Sequence, residues 1–340
     1  MKKFYLSVLA AAVAVTACDK SETINLQENK QQEVAFSPIS MPATKAPITT
    51  SAFPDDNTIY VSASNASGAT KKKFFEAKTF KKDGAGDWKN YDEGAGAFSP
   101  LYWPLGGTGS FDFLAYSTTL AATAAWGDNN LATDDDVAGN VTITYPSNYP
   151  AVGANATQDD LLYATTSSTS RSTALPIDFK HALAWVNFSV KSNIPVNIKS
   201  IELVNVYTEG KFTIDQTQNT PVTSWDFTSA TPGDKAILTY KNDATPNVLA
   251  AVNIDGTTNL VNTDYPFGDK GILLPAQPIS NFKITYNLGG GDLVYTVNSI
   301  RGTWENGKKY TYKIAITFNE ITLAPTVTLY DAVTDMPINL

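Results

Sequence analysis

The chain has 340 residues, one histidine, one cysteine, 25 basic and 33 acidic side chains, and 43% apolar residues. One cysteine excludes an internal disulfide framework and cysteine-rich zinc sites, and one histidine excludes multi-histidine metal centres. A formal charge of -8 argues against nucleic acid as a partner, because phosphate binding needs a concentrated basic surface, and the length suits two domains that each bury a core.

Residues 1–17 read as an export signal. Lys2 and Lys3 supply a short positive start, and Phe4 to Ala17 carries no charge but is too short for a comfortable permanent membrane span. The run ends in Val15-Thr16-Ala17-Cys18, small residues ahead of the single cysteine. That is the pattern of a bacterial lipobox, in which the thiol is diacylated and the new amino terminus often acylated after cleavage. Several acyl chains at Cys18 give durable anchoring to outer-membrane lipid, whereas one chain alone binds marginally. Residues 19–33 are polar and have little to bury, so they form a flexible tether. Loss of Lys2 and Lys3 with the signal takes the formal charge from -8 to about -10. An anchored chain of that charge stands off an anionic leaflet.

Val34 to Ile39 can form a strand, and Met41 to Pro47 is proline-rich and exposed. Lys45 then offers an accessible site for a trypsin-like protease, with Pro47 placed where it does not block cleavage before Ala46. Beyond this point the recurring pattern has period two. Tyr310 to Phe318 alternates apolar with polar or small residues, the signature of a strand with one buried face. Shorter runs of the same kind are Phe111 to Phe113, Val186 to Val190, Ile201 to Leu203, Tyr207 to Ile214, Phe282 to Tyr286 and Val327 to Leu329. Gly and Pro punctuate them, as at Gly106-Gly107, Thr231-Pro232-Gly233 and Gly289-Gly290-Gly291. No sustained apolar stripe appears at helical spacing and no repeat recurs at 20–50 residues, so the expectation is all-β, mostly antiparallel, built as β-sandwiches. The expected division is a signal at 1–17, a tether and strand at 18–45, and β-sandwich domains at 46–215 and 216–340.

Candidate chemistry is sparse. His181 lies between apolar residues leading into a strand, and no nucleophile on a strained turn is near it in sequence, so it reads as structural with ring nitrogens satisfied by backbone. Asp134-Asp135-Asp136 could ligate calcium, but without the spaced acidic ladder and distal Glu of a calcium loop it reads as a solvated loop. Among 33 carboxylates no stretch marks one pair for glycoside hydrolysis. Lys71-Lys72-Lys73 beside Phe74-Phe75 flanks a strand. The expectation is therefore a protein that is no enzyme and uses no cofactor. Trp88, Tyr91, Trp126 and the Tyr102-Trp103 pair could stack on sugar, which leaves a glycan-binding surface lipoprotein supporting polysaccharide uptake as the alternative.

Several strings stand in a fixed order along the chain: the lipobox at Cys18; Thr44-Lys45-Ala46; Tyr102-Trp103-Pro104 with Phe111 to Tyr116; Asp160 to Ala164; Phe179 to Leu183; Leu274 to Gln277; Trp304 to Tyr312; and Ile321 to Leu323 with Pro325 and Val327. In these the chain resembles the fimbrillin family of Bacteroidales, lipoprotein subunits of type V pili, where Thr-Arg-Ala usually occupies the place of Thr44-Lys45-Ala46. The resemblance implies transthyretin-like β-sandwiches, export to the outer membrane and a place in a fimbrium. It also implies removal of the strand near Val34 to Ile39 by cleavage at Lys45-Ala46, and entry of a neighbouring subunit's strand into the vacated groove. The donor residues would be Ile321, Leu323, Val327 and Leu329, and the partners other pilin subunits and a host or glycan receptor.

Overall fold

The computed structural model describes residues 31–38, 53, 55–67, 70–84, 86–104, 109–118, 123–126, 140–146, 159–171, 174–192, 194, 196–215, 221–239, 248–249, 272–298, 300–316 and 321–329. Among them there is no helix. In chain order the strands are β1 (Ala35–Pro38), β2 (Ile59–Ser67), β3 (Thr70–Lys82), β4 (Trp88–Asp92), β5 (Ala97–Phe98), β6 (Ser110–Ser117), β7 (Thr123–Trp126) and β8 (Asn140–Tyr145). Next come β9 (Leu162–Ser168), β10 (Leu175–Ile177), β11 (Lys180–His181), β12 (Leu183–Ser192), β13 (Val196–Val206), β14 (Gly210–Asp215) and β15 (Val222–Asp226). The last are β16 (Gly233–Thr239), β17 (Val248–Leu249), β18 (Ile272–Pro275), β19 (Phe282–Asn287), β20 (Asp292–Val297), β21 (Lys308–Ile316) and β22 (Ile321–Leu329). The chain is all-β, and its ladders are antiparallel except for β1 with β10 and β12 with β21.

The first sheet runs β10-β1-β4-β3-β2-β6-β9-β11, with β5 added to β4. Its terminal strands, β10 and β11, are separated in the chain only by Asp178 and Phe179, so the sheet curls until its two ends meet on one segment. Alternate residues of its strands point inward, and they build a core that includes Phe36, Val61, Phe80, Phe113, Leu162 and Ile177. A second sheet, β18-β12-β21-β22, and a third, β16-β13-β19-β20, share another core that holds Phe188, Leu203, Phe282, Trp304 and Tyr312. Trp304 is fully buried, and its Nε1 donates to Tyr312 Oη at 2.9 Å.

A third core lies between these two. The fourth sheet, β15-β14-β8-β7, contributes Val141, Ile143, Tyr145, Phe212 and Ile214. The first sheet contributes Leu114 and Tyr116 from β6, whose other face carries Phe111, Phe113 and Ala115 into the first core. Likewise β12 sends Leu183 and Trp185 here and Ala184, Val186 and Phe188 to the second core. A strand buried on both faces reads as a continuous apolar run, which is what Leu183 to Val186 shows. Residues Gln32–Leu340 form one compact unit. Residue 215 ends β14, which pairs with β15 from Lys211↔Asp226 to Asp215↔Val222, so a division there parts two paired strands.

At this junction His181 Nδ1 hydrogen-bonds the Asp160 carboxylate, and both side chains are buried. Asp160 Oδ1 also accepts from the Leu161 amide at 2.8 Å. The ring nitrogen Nδ1 of His181 thus meets a carboxylate, where the sequence suggested backbone. Nearby, Trp225 Nε1 donates to the Ala182 carbonyl and to Asn306 Oδ1, each at 3.1 Å, and the Gly307 amide donates to the Leu183 carbonyl at 2.9 Å. Gly307 has φ 68°, which glycine adopts without the steric cost a Cβ brings. The Trp304 to Gly307 turn thus ties the fourth sheet to β12.

Removing one member of the buried pair, as in Asp160→Ala, strands the other without its charge-assisted partner and is expected to lower stability by about 3–5 kcal/mol, read by urea unfolding. Burial also raises the Tyr310 phenol from 10.0 to about 12 and pushes Tyr116 and Tyr312 up in the same direction. Below pH 10 these phenols are protonated in folded and unfolded chains alike. Between 10 and about 12 only the unfolded chain releases the protons, so stability is expected to fall as pH rises through that window. Denaturant midpoints at pH 9 and 11.5 check this, and equal midpoints would contradict it.

Candidate functional site

The chain enters the first sheet at residues 32–38. Val34 and Phe36 alternate with Glu33, Ala35 and Ser37, so a strand here turns its two bulky apolar side chains to one side. Both are 0% exposed. The Val34 amide donates to the Leu101 carbonyl at 2.7 Å, and the Trp103 amide donates to the Gln32 carbonyl at 2.9 Å, flanking a Glu33↔Tyr102 bridge. The chain then passes into β1, which pairs antiparallel with β4 (Ala35↔Lys89, Phe36↔Trp88) and parallel with β10 (Phe36↔Leu175 to Pro38↔Ile177). Pro38, which lacks an amide hydrogen, ends the strand.

The Phe36 ring packs edge-on against Phe80 at 4.7 Å and Phe113 at 5.5 Å between centroids. Trp103 stands 5.0 Å from Phe111, and Phe53 bridges Trp88 at 5.1 Å and Phe179 at 4.9 Å. Burying a large apolar side chain gives about 1.5–3 kcal/mol, so Val34 and Phe36 are what hold a four-residue strand in place. Outside the core, Lys89 Nζ bonds Asp83 at 2.9 Å and lies 3.8 Å from Glu33. Its pKa is raised, first by the Asp83 hydrogen bond and then by the Glu33 charge. This exposed pair steers more than it stabilises.

Cys18, Lys45, Ala46 and Asp134-Asp135-Asp136 lie outside the described residues. Ile321, Leu323, Val327 and Leu329 are on β22, the edge of the second sheet, opposite Ile316, Ile314, Tyr310 and Lys308 respectively. Val327 is buried and Ile321 half-buried against the second core. The structure therefore separates the donor candidates from β1 and places each in its own sheet.

Of the aromatic candidates for sugar stacking, Tyr102 is 44% exposed, but the others need correction. Trp88 is 4% exposed and Trp103 3%, because each faces inward from the first sheet. Tyr91 is half-buried, with Lys81 Nζ 4.1 Å above its ring and the edge of Phe98 against it. The Trp126 side chain lies outside the described residues. Lys71 to Lys73 sit within β3 rather than beside a strand, and Lys73 pairs with Glu76 at 2.6 Å. Among the described residues no group of three or more His, Cys, Asp or Glu could hold a metal ion, and no helix is long and apolar enough to cross a membrane. Phe53 and the pairing of Asp160 with His181 escaped the sequence reading, since nothing beside either residue in the chain announces its distant partner.

The profile of the fimbrillin-like family matches residues 44–329. A fimbrial protein from Bacteroides vulgatus is similar in fold, with a TM-score of 0.51 and 13% identity over 88% of this chain and 99% of that one. A candidate cell adhesion protein from Bacteroides ovatus gives 0.51 and 14% over 90% and 99%. Another from Bacteroides uniformis gives 0.45 and 13% over 88% and 97%. No curated protein matches the chain.

Truncation of Phe36 to Ala is expected to cost about 3–5 kcal/mol and to raise binding of a hydrophobic dye, because the cavity opens at the end of the first core. Ser37→Ala, on the exposed side of the same strand, is expected to stay within about 0.5 kcal/mol. Equal losses from both variants would mean that the seat is not held by the apolar side chains.

Proposed function

The chain belongs to the fimbrillin-like family, and on that premise we propose that it is a cell-surface pilus subunit or adhesin, structural rather than enzymatic, that assembles by exchanging β1 for a strand of a neighbouring subunit. The supporting observation is the seat of β1. This strand is four residues long, precedes Lys45, and closes the first sheet between β10 and β4. The family match begins at residue 44, so β1 falls outside the shared region. Cleavage between Lys45 and Ala46 would leave so short a strand without its covalent tether. Its departure uncovers the inner side chains Phe80 and Phe113 and opens the ladder groups of β4 and β10. Such an edge beside an apolar groove is driven to accept an extended chain.

The pattern of β22 fits that vacancy. Val34-Ala35-Phe36-Ser37-Pro38 and Ile321-Thr322-Leu323-Ala324-Pro325 share the order large apolar, small, large apolar, small, proline. A strand of this pattern from another copy can put Ile321 and Leu323 where Val34 and Phe36 sit. Cys18 lies on the same side of Lys45 as β1, so a single cut removes the lipid anchor and the plug together. The precursor is thereby held at the outer membrane and kept from polymerising until it is processed.

The test is to incubate purified precursor with a trypsin-like protease. A clip after Lys45 followed by high-mass oligomers is expected, while Lys45→Ala precursor stays whole and monomeric. Precursor that is clipped, loses residues up to 45 and yet remains monomeric would sink the strand-exchange reading.

A further inference from the structure

We infer that β20 is a lateral docking edge for a second copy of this chain, formed by antiparallel pairing of β20 with β20. It lies in a different sheet from β1 and β22, so it does not depend on strand exchange. Open sheet edges are normally guarded by proline, by charge or by shortness. Here β10, β18 and β22 contain Pro176, Pro275 and Pro325, β16 contains Asp234 and Lys235, β7 is four residues long, and β15 is pinned through Trp225. β20 has no such guard beyond Asp292 at its first residue. It is six residues long, free of Pro, Lys and Arg, and runs against β19 without a register shift from Phe282↔Val297 to Asn287↔Asp292.

Its side chains are as open as its backbone. Leu293 is 46% exposed, Val294 64% and Tyr295 38%. Leu293 and Tyr295 pair with Tyr286 and Ile284, which pack on the second core, so they extend that apolar face beyond its cover. Val294 projects from the opposite face. The turn before the strand, Leu288 to Gly291, presents no obstacle: Gly289 adopts φ 102°, and a Cβ on Gly289, Gly290 or Gly291 would meet nothing within 4 Å.

An open ladder needs an extended partner, and this strand complements itself. Antiparallel pairing about a two-fold axis at Val294 sets Val294 against its own copy, Leu293 against Tyr295, and Asp292 against Thr296. Leu293 opposite Tyr295 makes an apolar cross-strand pair on each side of the axis, and the two Asp292 carboxylates stand at opposite ends. Asp292 is the strand's single charge and is already bonded by Asn287 Nδ2 at 2.9 Å, so nothing on the edge selects a charged partner. Two strands of this length bury less than a standard interface, so the contact is weak between free molecules and gains strength where copies stand side by side.

The full chain carrying Lys45→Ala and Cys18→Ser, which is neither clipped nor acylated, is to be followed by sedimentation velocity at rising concentration. A reversible monomer–dimer equilibrium is expected. Val294→Lys should weaken it at least tenfold with an unchanged circular dichroism spectrum, while Val222→Lys, at a 52% exposed valine on β15, leaves it unaltered. A chain that stays monomeric at the highest concentration, or a dimer that Val294→Lys does not weaken or Val222→Lys weakens as much, would overturn the inference.

Discussion

In the first sheet β1 is the one strand that joins β10 to β4, and the approach of the sheet's two terminal strands rests on that link. The constraint is severe because β1 has only four residues, two of whose ladder neighbours, β4 and β10, have no alternative partner on that side. What holds it is the pair of fully buried side chains Val34 and Phe36, set among Phe80, Phe113 and Trp88. The segment is short in length and large in apolar content, which is the combination a removable plug needs.

Elsewhere the fold is tied far more firmly. β6 and β12 each bury both faces, so each belongs to two cores at once. The Asp160 and His181 pair, the Trp225 bonds to Ala182 and Asn306, and the Gly307 turn stitch the fourth sheet to this junction. Loss of β1 opens the far side of the first sheet, where the third core is not built. The body that would remain after strand removal therefore keeps its shared inner sheets, and that suits a subunit handed from precursor to polymer.

The edges show a division of labour. Pro176, Pro275 and Pro325 interrupt three of them, and a proline on a sheet edge withholds the amide an intruding strand would use. The edge β22 is guarded in this way yet repeats the apolar, proline-ended pattern of residues 34–38, while β20 has no proline and exposes Leu293, Val294 and Tyr295.

The alternation in Tyr310 to Phe318, Phe282 to Tyr286 and Val34 to Phe36, with Gly and Pro between such runs, was enough for the all-β class and for most strand positions, because period two is a local property. The ordered strings from Thr44 to Val327 were enough for the family. The burial of Trp88 was not legible, since a strand of polar and aromatic residues reads alike whichever face turns inward. Nor was the partner of His181, because Asp160 is brought to it by the pairing of β9 with β11 rather than by sequence neighbourhood. By itself, then, the sequence determined strand content, family and the apolar, proline-ended pattern shared by 34–38 and 321–325. Only the tertiary structure decided that β1 joins β10 to β4 in a sheet whose terminal strands meet on one segment and that β20 lies at an edge, because both follow from which distant strands pair, and a strand's own residues do not name its partner.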